Sequence, residues 1–390
     1  MRSLIFVIAS FAVTILCWGI YGPVLHAGQA GMSTVPGEFA RLRPFICVGL
    51  AYFLIGVLVP AIWLKLRGEP GDWTMTGIIW SLAGGALGAI GALGIIMAFN
   101  FGGKPQYVMP LVFGGAPVVN SFLTIYLARK LKEIGPLFMA GLVMVLIGAV
   151  TVLIFAPRKE KPHAATSAET ASAAADVDSA AAPEKPTAIE RAKEGASNFV
   201  LQILSILTVV ACWGAYGPVL HKGQAAMHHS RMRPLICVGL AYFAIAVILP
   251  NLMLAASSTG EASEWNFSGT LWSLAGGAAG AIGALGIIMA FNFGGKPTYV
   301  MPLVFGGAPV VNTLTTTIAG GLWDKITPWF LAGLILVVAG AAMVLVFAPR
   351  GAPPKPAKPV PPPAEPSDVK PAEKKALVEE KAATENDKPE

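Results

Sequence analysis

Acidic residues are scarce where this chain is apolar. Of its 22 Asp and Glu residues, fifteen crowd into two polar stretches, residues 159–198 and 351–390. The other seven are Glu38, Glu69, Asp72, Glu133, Glu261, Glu264 and Asp324, and each lies between long apolar runs, none inside one. That removes the intramembrane carboxylate a proton relay ordinarily uses, and the acid–base pair of a hydrolytic site. Cysteine is also rare. Cys17, Cys47, Cys212 and Cys237 all fall within apolar runs, which excludes a disulfide framework and reads as buried free thiols. HExxH, GxSxG and GxxxxGK[ST] are all missing, so neither an enzyme nor an ATP-driven machine is expected. No metal site or bound cofactor is expected either. The net charge of +6 does not mark a nucleic-acid binder, because the basic excess sits in short loops at the ends of apolar runs, where it orients a membrane protein.

What is there is hydrophobic and duplicated. The chain is 55% hydrophobic, with a mean hydropathy of +0.64, well above a soluble domain. From Trp80 to Asn120 and again from Trp272 to Asn312 it carries the same 41-residue text, changed only at Leu87 against Ala279 and at Gln106 against Thr298. CWGIYGPVLHAGQ from Cys17 returns as CWGAYGPVLHKGQ from Cys212, and RPFICVGLAYF from Arg43 as RPLICVGLAYF from Arg233. Apolar runs of about 20 residues, enough to cross a hydrocarbon core, fall at roughly 4–23, 45–64, 77–99, 108–127 and 136–155. Five more follow at roughly 200–220, 235–255, 270–291, 300–319 and 328–347. Irregular backbone cannot face lipid, so the runs are helices. The first run is expected to be retained, because its counterpart at Cys212 is internal and cannot be a cleaved signal.

Five crossings per copy is an odd number, so the second copy must insert upside down relative to the first. The expected fold is therefore all-α and integral to the membrane: ten transmembrane helices as two five-helix inverted-topology repeats. The boundaries are 1–158 and 199–350 for the repeats. Between them, 159–198 is an Ala/Ser/Pro/Glu-rich linker, and 351–390 is a Pro/Lys/Glu-rich tail; both are expected to be disordered. With the N-terminus inside, cytoplasmic loops carry nine Lys/Arg (Lys65, Arg67, Arg129, Lys130, Lys132, Lys222, Arg231, Arg233, Lys296). The opposite loops carry four (Arg41, Arg43, Lys104, Lys325). That imbalance places both termini in the cytoplasm and the chain in the cell (inner) membrane.

Glycines 84, 85, 88, 91 and 94, repeated at 276, 277, 280, 283 and 286, put small residues on one face of each third helix, where backbones approach closely. Pro110 and Pro117 flank a Gly-Gly in the fourth run, as do Pro302 and Pro309 in the ninth. Each proline removes a donor and clashes with the carbonyl four residues back, so these are helix-break positions, read either as site-lining or as packing kinks. Asn100, Asn120, Asn292 and Asn312 need polar partners, either another helix or a substrate. Trp18 and Tyr21, with Trp213 and Tyr216, end the first run of each copy, as an interfacial belt or as a cavity wall. Tyr52 and Tyr242 sit deeper, and their hydroxyls lean toward a cavity. These ten polar and aromatic residues are the candidate substrate-binding set.

The third and fourth runs carry a further likeness. MAFNFGGKP followed by YVMPLVFGGAPVVN, at 97–120 and 289–312, the small-residue fifth run FMAGLVMVLIGAVTVLIF from Phe138, and the Trp18-Gly19 and Trp213-Gly214 endings resemble the EamA type of the drug/metabolite transporter superfamily. The likeness covers roughly 4–157 and 200–349. Where that family carries Gly-Glu near the end of span four, this chain has ARKLKE and AGGLWDK. The resemblance implies movement of small metabolites by alternating access. Spans without carboxylates favour a neutral or zwitterionic organic solute. The rival expectation is a non-transporting membrane scaffold or sensor with the same fold. The partners expected are a small-molecule metabolite and the lipid bilayer, and the fold is compatible with a homodimer.

Overall fold

The computed structural model describes residues 2–127, 129, 134–155, 157, 188–256 and 261–347. Of the expected linker, residues 159–187 lie outside this set, as does the tail from 351. Among the described residues, eight helices are long and apolar enough to cross a membrane. They are α1 (Arg2–Met32), α2 (Leu42–Arg67), α3 (Met75–Asn100), α4 (Pro105–Leu127), α6 (Ala188–Ala226), α7 (Met232–Ala255), α8 (Phe267–Asn292) and α9 (Pro297–Gly320). Two further apolar helices, α5 (Pro136–Phe155) and α10 (Pro328–Phe347), are 20 residues each, with shorter apolar stretches. No β-strand occurs among the described residues; one isolated bridge joins Ser33 to Ser263. Large apolar side chains such as Leu16, Leu58, Ile62, Leu252, Leu271 and Ile335 point out of the bundle. A water-facing surface rarely exposes so many, and lipid accepts them freely.

Three expectations about helix limits change. Trp18 and Tyr21 do not end a helix: α1 runs on through Pro23 to Met32, and α6 runs through Pro218 to Ala226. An interior proline forfeits one hydrogen bond and bends a helix without stopping it when neighbouring helices hold the rest in place. For the same reason α4 and α9 are continuous through Pro110 and Pro117, and through Pro302 and Pro309; the expected unwound break is absent. Finally, residues 188–198, assigned to the disordered linker, are helical. IERAKEGASN contains good helix formers and extends an already nucleated helix, so no new nucleus has to form.

Two wide turns were not anticipated. Leu54–Leu58 in α2 and Phe243–Ile248 in α7 are π-helical, each just ahead of a proline, Pro60 and Pro250. Widening the turn moves the carbonyl four residues back out of the way of the pyrrolidine ring.

Contacts between the copies are reciprocal. On α1 and α8, Gly31 meets Gly269, Leu25 meets Gly276 and Trp18 meets Gly283. Along α6 and at the residue after it, Trp213 meets Gly91, Leu220 meets Gly84 and Met227 meets Gly77 of α3. In both pairs the numbers run in opposite directions, so the helices are antiparallel. Helices at equivalent places in the two copies are also antiparallel neighbours. Gly141 of α5 packs on Gly340 of α10, and Gly148 on Gly333. Asn120 of α4 donates to the Pro297 carbonyl of α9 (3.1 Å), while Asn312 of α9 donates to the Pro105 carbonyl of α4 (3.2 Å). Glycine at these seams lets backbones touch, which is how helices hold together when lipid removes any hydrophobic drive.

Candidate functional site

At the centre, the glycine faces of α3 and α8 are floors for aromatic rings from the other copy. The Tyr242 ring lies on Gly88, where a Cβ would come within 2.9 Å of Cε2, and Tyr52 lies on Gly280 at the same distance. The indoles of Trp213 and Trp18 cover Gly91 and Gly283. Their Nε1–H groups donate to the carbonyls of Gly88 and Gly280, 3.3 Å each. Spacing of three thus gives one glycine to carry a tyrosine and the next to carry a tryptophan. Thr14 Oγ1 adds a 3.0 Å bond to the Gly283 carbonyl.

The rings meet across the copies. Tyr52 stacks on Tyr242 with centroids 3.6 Å apart and planes within 3°. Trp18 and Trp213 stack at 6.0 Å. Tyr216 stands edge-on to Trp18 at 6.1 Å, and Tyr21 edge-on to Trp213 at 5.9 Å. Phe113 and Phe305 close the cluster beside the tryptophans. The hydroxyls of Tyr21 and Tyr216 are buried and have no hydrogen-bond partner. Leaving such a group unpaired costs about 1–3 kcal/mol, so both hydroxyls are available to bond a polar partner. The arrangement offers flat π faces and two neutral hydroxyls, and no carboxylate or basic side chain is among the residues that build it.

The structure therefore brings six candidate residues together: Trp18, Tyr21, Tyr52, Trp213, Tyr216 and Tyr242. The asparagines are used differently. Asn120 and Asn312 spend their amide donors on the α9 and α4 carbonyls, leaving each Oδ1 buried and unpartnered. Asn100 donates to the Phe39 carbonyl (3.0 Å) and Asn292 to the His229 carbonyl (2.8 Å), which pins the ends of α3 and α8 to loops. Pro117, Pro302 and Pro309 are buried inside continuous helices; of Pro110 only its place in α4 is described. Cys17, Cys47, Cys212 and Cys237 are free thiols; Cys47 and Cys237 are buried as expected, whereas Cys17 and Cys212 are only partly buried.

Sequence reasoning missed a pair of charged clasps. Glu69 follows α2, and its carboxylate accepts from the amides of Arg231 and Met232 (3.0 Å each), from Ser230 Oγ (2.7 Å) and from Arg231 Nε (2.5 Å). It thereby caps the start of α7, where helix amides are unpaired and the dipole favours an anion. Glu261, at the matching place in the second copy, accepts from the amides of Arg41 (2.8 Å) and Leu42 (3.0 Å) and from Ser263 Oγ (2.8 Å), and caps the start of α2. Arg41 Nε stands 4.0 Å from it. Both carboxylates are almost fully shielded, 2% and 3% exposed. Arg233 lies over Trp73 and Arg43 over Trp265, 6.0 Å each. Burial pushes the Glu69 carboxyl up, but Arg231, the Met232 and Arg231 amides and Ser230 outweigh it and hold it below its ordinary value. The available signal was internal: the loops differ, yet both copies read Gly-Glu before Trp73 or Trp265, and Arg-x-Arg-Pro at 41–44 or 231–234.

No family model matches the chain, and no curated protein matches it. Among solved structures, one described as "Crystal structure of protein" is similar with a TM-score of 0.54 at 18% identity, covering 88% of this chain and 99% of that one. At that identity the likeness is one of fold alone.

Proposed function

We propose that the chain is a membrane transporter of the EamA type, moving a small neutral or zwitterionic organic metabolite by alternating access. The ten apolar helices among the described residues are read as ten spans in two five-helix units, related by a pseudo-two-fold axis in the membrane plane, with both termini cytoplasmic. The observation that carries this reading is the antiparallel pairing of equivalent helices, Asn120 with Pro297 and Asn312 with Pro105. Same-facing copies would run such neighbours parallel. The loop contacts agree. The loop after α2 holds the loop before α7, and the loop after α7 holds the loop before α2, pairs that fall on one side only if the second copy is inverted. Inverted repeats place a shared site at their interface near mid-membrane, where Tyr21, Tyr52, Tyr216 and Tyr242 converge. The carboxylate-free lining supports an uncharged or internally neutralised solute.

The test is uptake or exchange by purified protein in liposomes, across amino acids, sugars and related metabolites. Movement of at least one neutral or zwitterionic compound is expected, and Tyr21→Phe with Tyr216→Phe should reduce it. Silence across the panel removes the reading. A second reading, a non-transporting scaffold or sensor, is favoured by the closed Tyr52–Tyr242 stack and by the bonded Asn120 amide. A scaffold requires that no panel compound raise the thermal stability of the purified protein, since any ligand bound by the folded form alone must do so, whereas a sensor requires stabilisation without movement in liposomes.

A further inference from the structure

The two carboxylate clasps sit at opposite ends of one helix. Glu69 lies just before the start of α3. The Glu261 clasp lies beside its far end, where Gln29 Nε2 donates to the carbonyls of Ala40 (2.9 Å) and Ile96 (3.4 Å) and Asn100 holds Phe39. With 26 residues in α3, the clasps are about 39 Å apart at 1.5 Å per residue. Each ties the loop of one copy to the first turn of a helix in the other. At the Glu261 end, a groove of about 340 Å³ opens against the clasp, lined by Arg41, Phe45, Leu93, Met97, Met253 and Glu261.

We propose that these clasps are the two gates of the transport cycle, with Glu69 and Glu261 as positioning residues that hold opposite mouths shut in turn. The inference rests on the transporter reading and adds the residues that control access. In this structure both clasps are closed and the aromatic centre is covered, the geometry of an occluded state. Opening one mouth requires the carboxylate to leave the helix amides and the arginine across from it and, at the Glu69 end, the Ser230 hydroxyl. The same set at the other end must stay closed, or the solute path becomes a leak. Near-identical chemistry at the two ends suits this, because neither closed end then dominates the equilibrium.

Native cysteines report on each mouth. Cys47 is buried in α2 behind the Glu261 clasp, and Cys237 is buried in α7 behind the Glu69 clasp. The full-length protein in lipid nanodiscs, where both faces are accessible, is treated with a charged maleimide, and labelling is read at each cysteine by peptide mass spectrometry. Glu261→Gln should raise the Cys47 rate about fivefold or more and leave Cys237 within about twofold; Glu69→Gln should do the converse. Equal responses at both sites, no response, or the crossed response would overturn the proposal. A variant that has lost the cooperative thermal transition of the wild type is unfolded, and the decision then passes to a disulfide. Ser33 and Ser263 are bridged, so Ser33→Cys with Ser263→Cys is within disulfide reach. Oxidation should cut uptake at least tenfold and reduction should restore it; undiminished uptake with the bond formed overturns the gate. If the wild type carries nothing, the labelling pattern still decides whether the clasps open separately, so failure of transport and failure of the gates are distinguishable.

Discussion

Single atoms decide the centre of this protein. At Gly88 and Gly280 the hydrogen in place of a methyl is what lets a tyrosine ring lie flat on the helix, since a Cβ would stand 2.9 Å from ring carbon and 3.0 Å from the hydroxyl. Gly88→Ala and Gly280→Ala should each destabilise by about 1–3 kcal/mol, the range for overpacking a filled core, seen as a lowered thermal midpoint in detergent. Equal losses in the two variants are expected, because the surroundings are equivalent. Tyr21→Phe and Tyr216→Phe test the other kind of residue. Each deletes a hydroxyl that has no partner, so stability should hold or rise by about 1 kcal/mol while uptake falls. A fall in both would mean that the hydroxyl is structural. The glycine stripe was legible in the sequence as a close-packing face. Which aromatic rings it carries was not, because Gly88 and Tyr242 are joined only by the packing of one copy on the other.

At the scale of the element, proline misled. Trp18 and Tyr21, with Trp213 and Tyr216, read as the ends of the first runs because Pro23 and Pro218 follow them, and so as an interfacial belt or a cavity wall. The helices continue to Met32 and Ala226, which moves those aromatics inside the bundle. A proline removes one bond from a ladder of many, and only the neighbours determine whether the helix survives it. Asn120→Ala and Asn312→Ala should each cost about 1 kcal/mol, the net value of a hydrogen bond. The double variant should lose the sum, because the two bonds lie at opposite ends of the α4–α9 contact. The Glu69 cap carries a pH signature. Its carboxyl is held below its ordinary value of 4.5, so its contribution is complete above that value and is lost as pH falls through the lowered one. The thermal midpoint of wild type minus that of Glu69→Gln should be constant from about pH 7 down to the ordinary carboxylate range, then shrink with further acid. A difference that grows on acidification would contradict the cap.

For the whole molecule, the reciprocal contacts make a topological prediction. Reporter fusions after residue 158 should appear on the opposite side of the membrane from fusions at the N-terminus and in the tail after 350. A reporter in the 159–187 segment found on the same side as both ends would dismantle the inverted arrangement. With it would go the shared central site and the assignment of one clasp to each face.

From sequence alone came the membrane class, the apolar runs and the duplication, because lipid as solvent demands long uncharged helices and leaves that demand written in composition. The free cysteines and the lack of charge inside the runs follow from the same demand. Only the tertiary structure decided which residues meet: Tyr52 with Tyr242, Trp18 with Gly283, Glu69 with the first turn of α7. These partners are separated by 162 to 265 positions or stand in loops of different wording. Their contact energy appears only when the two copies close on one another.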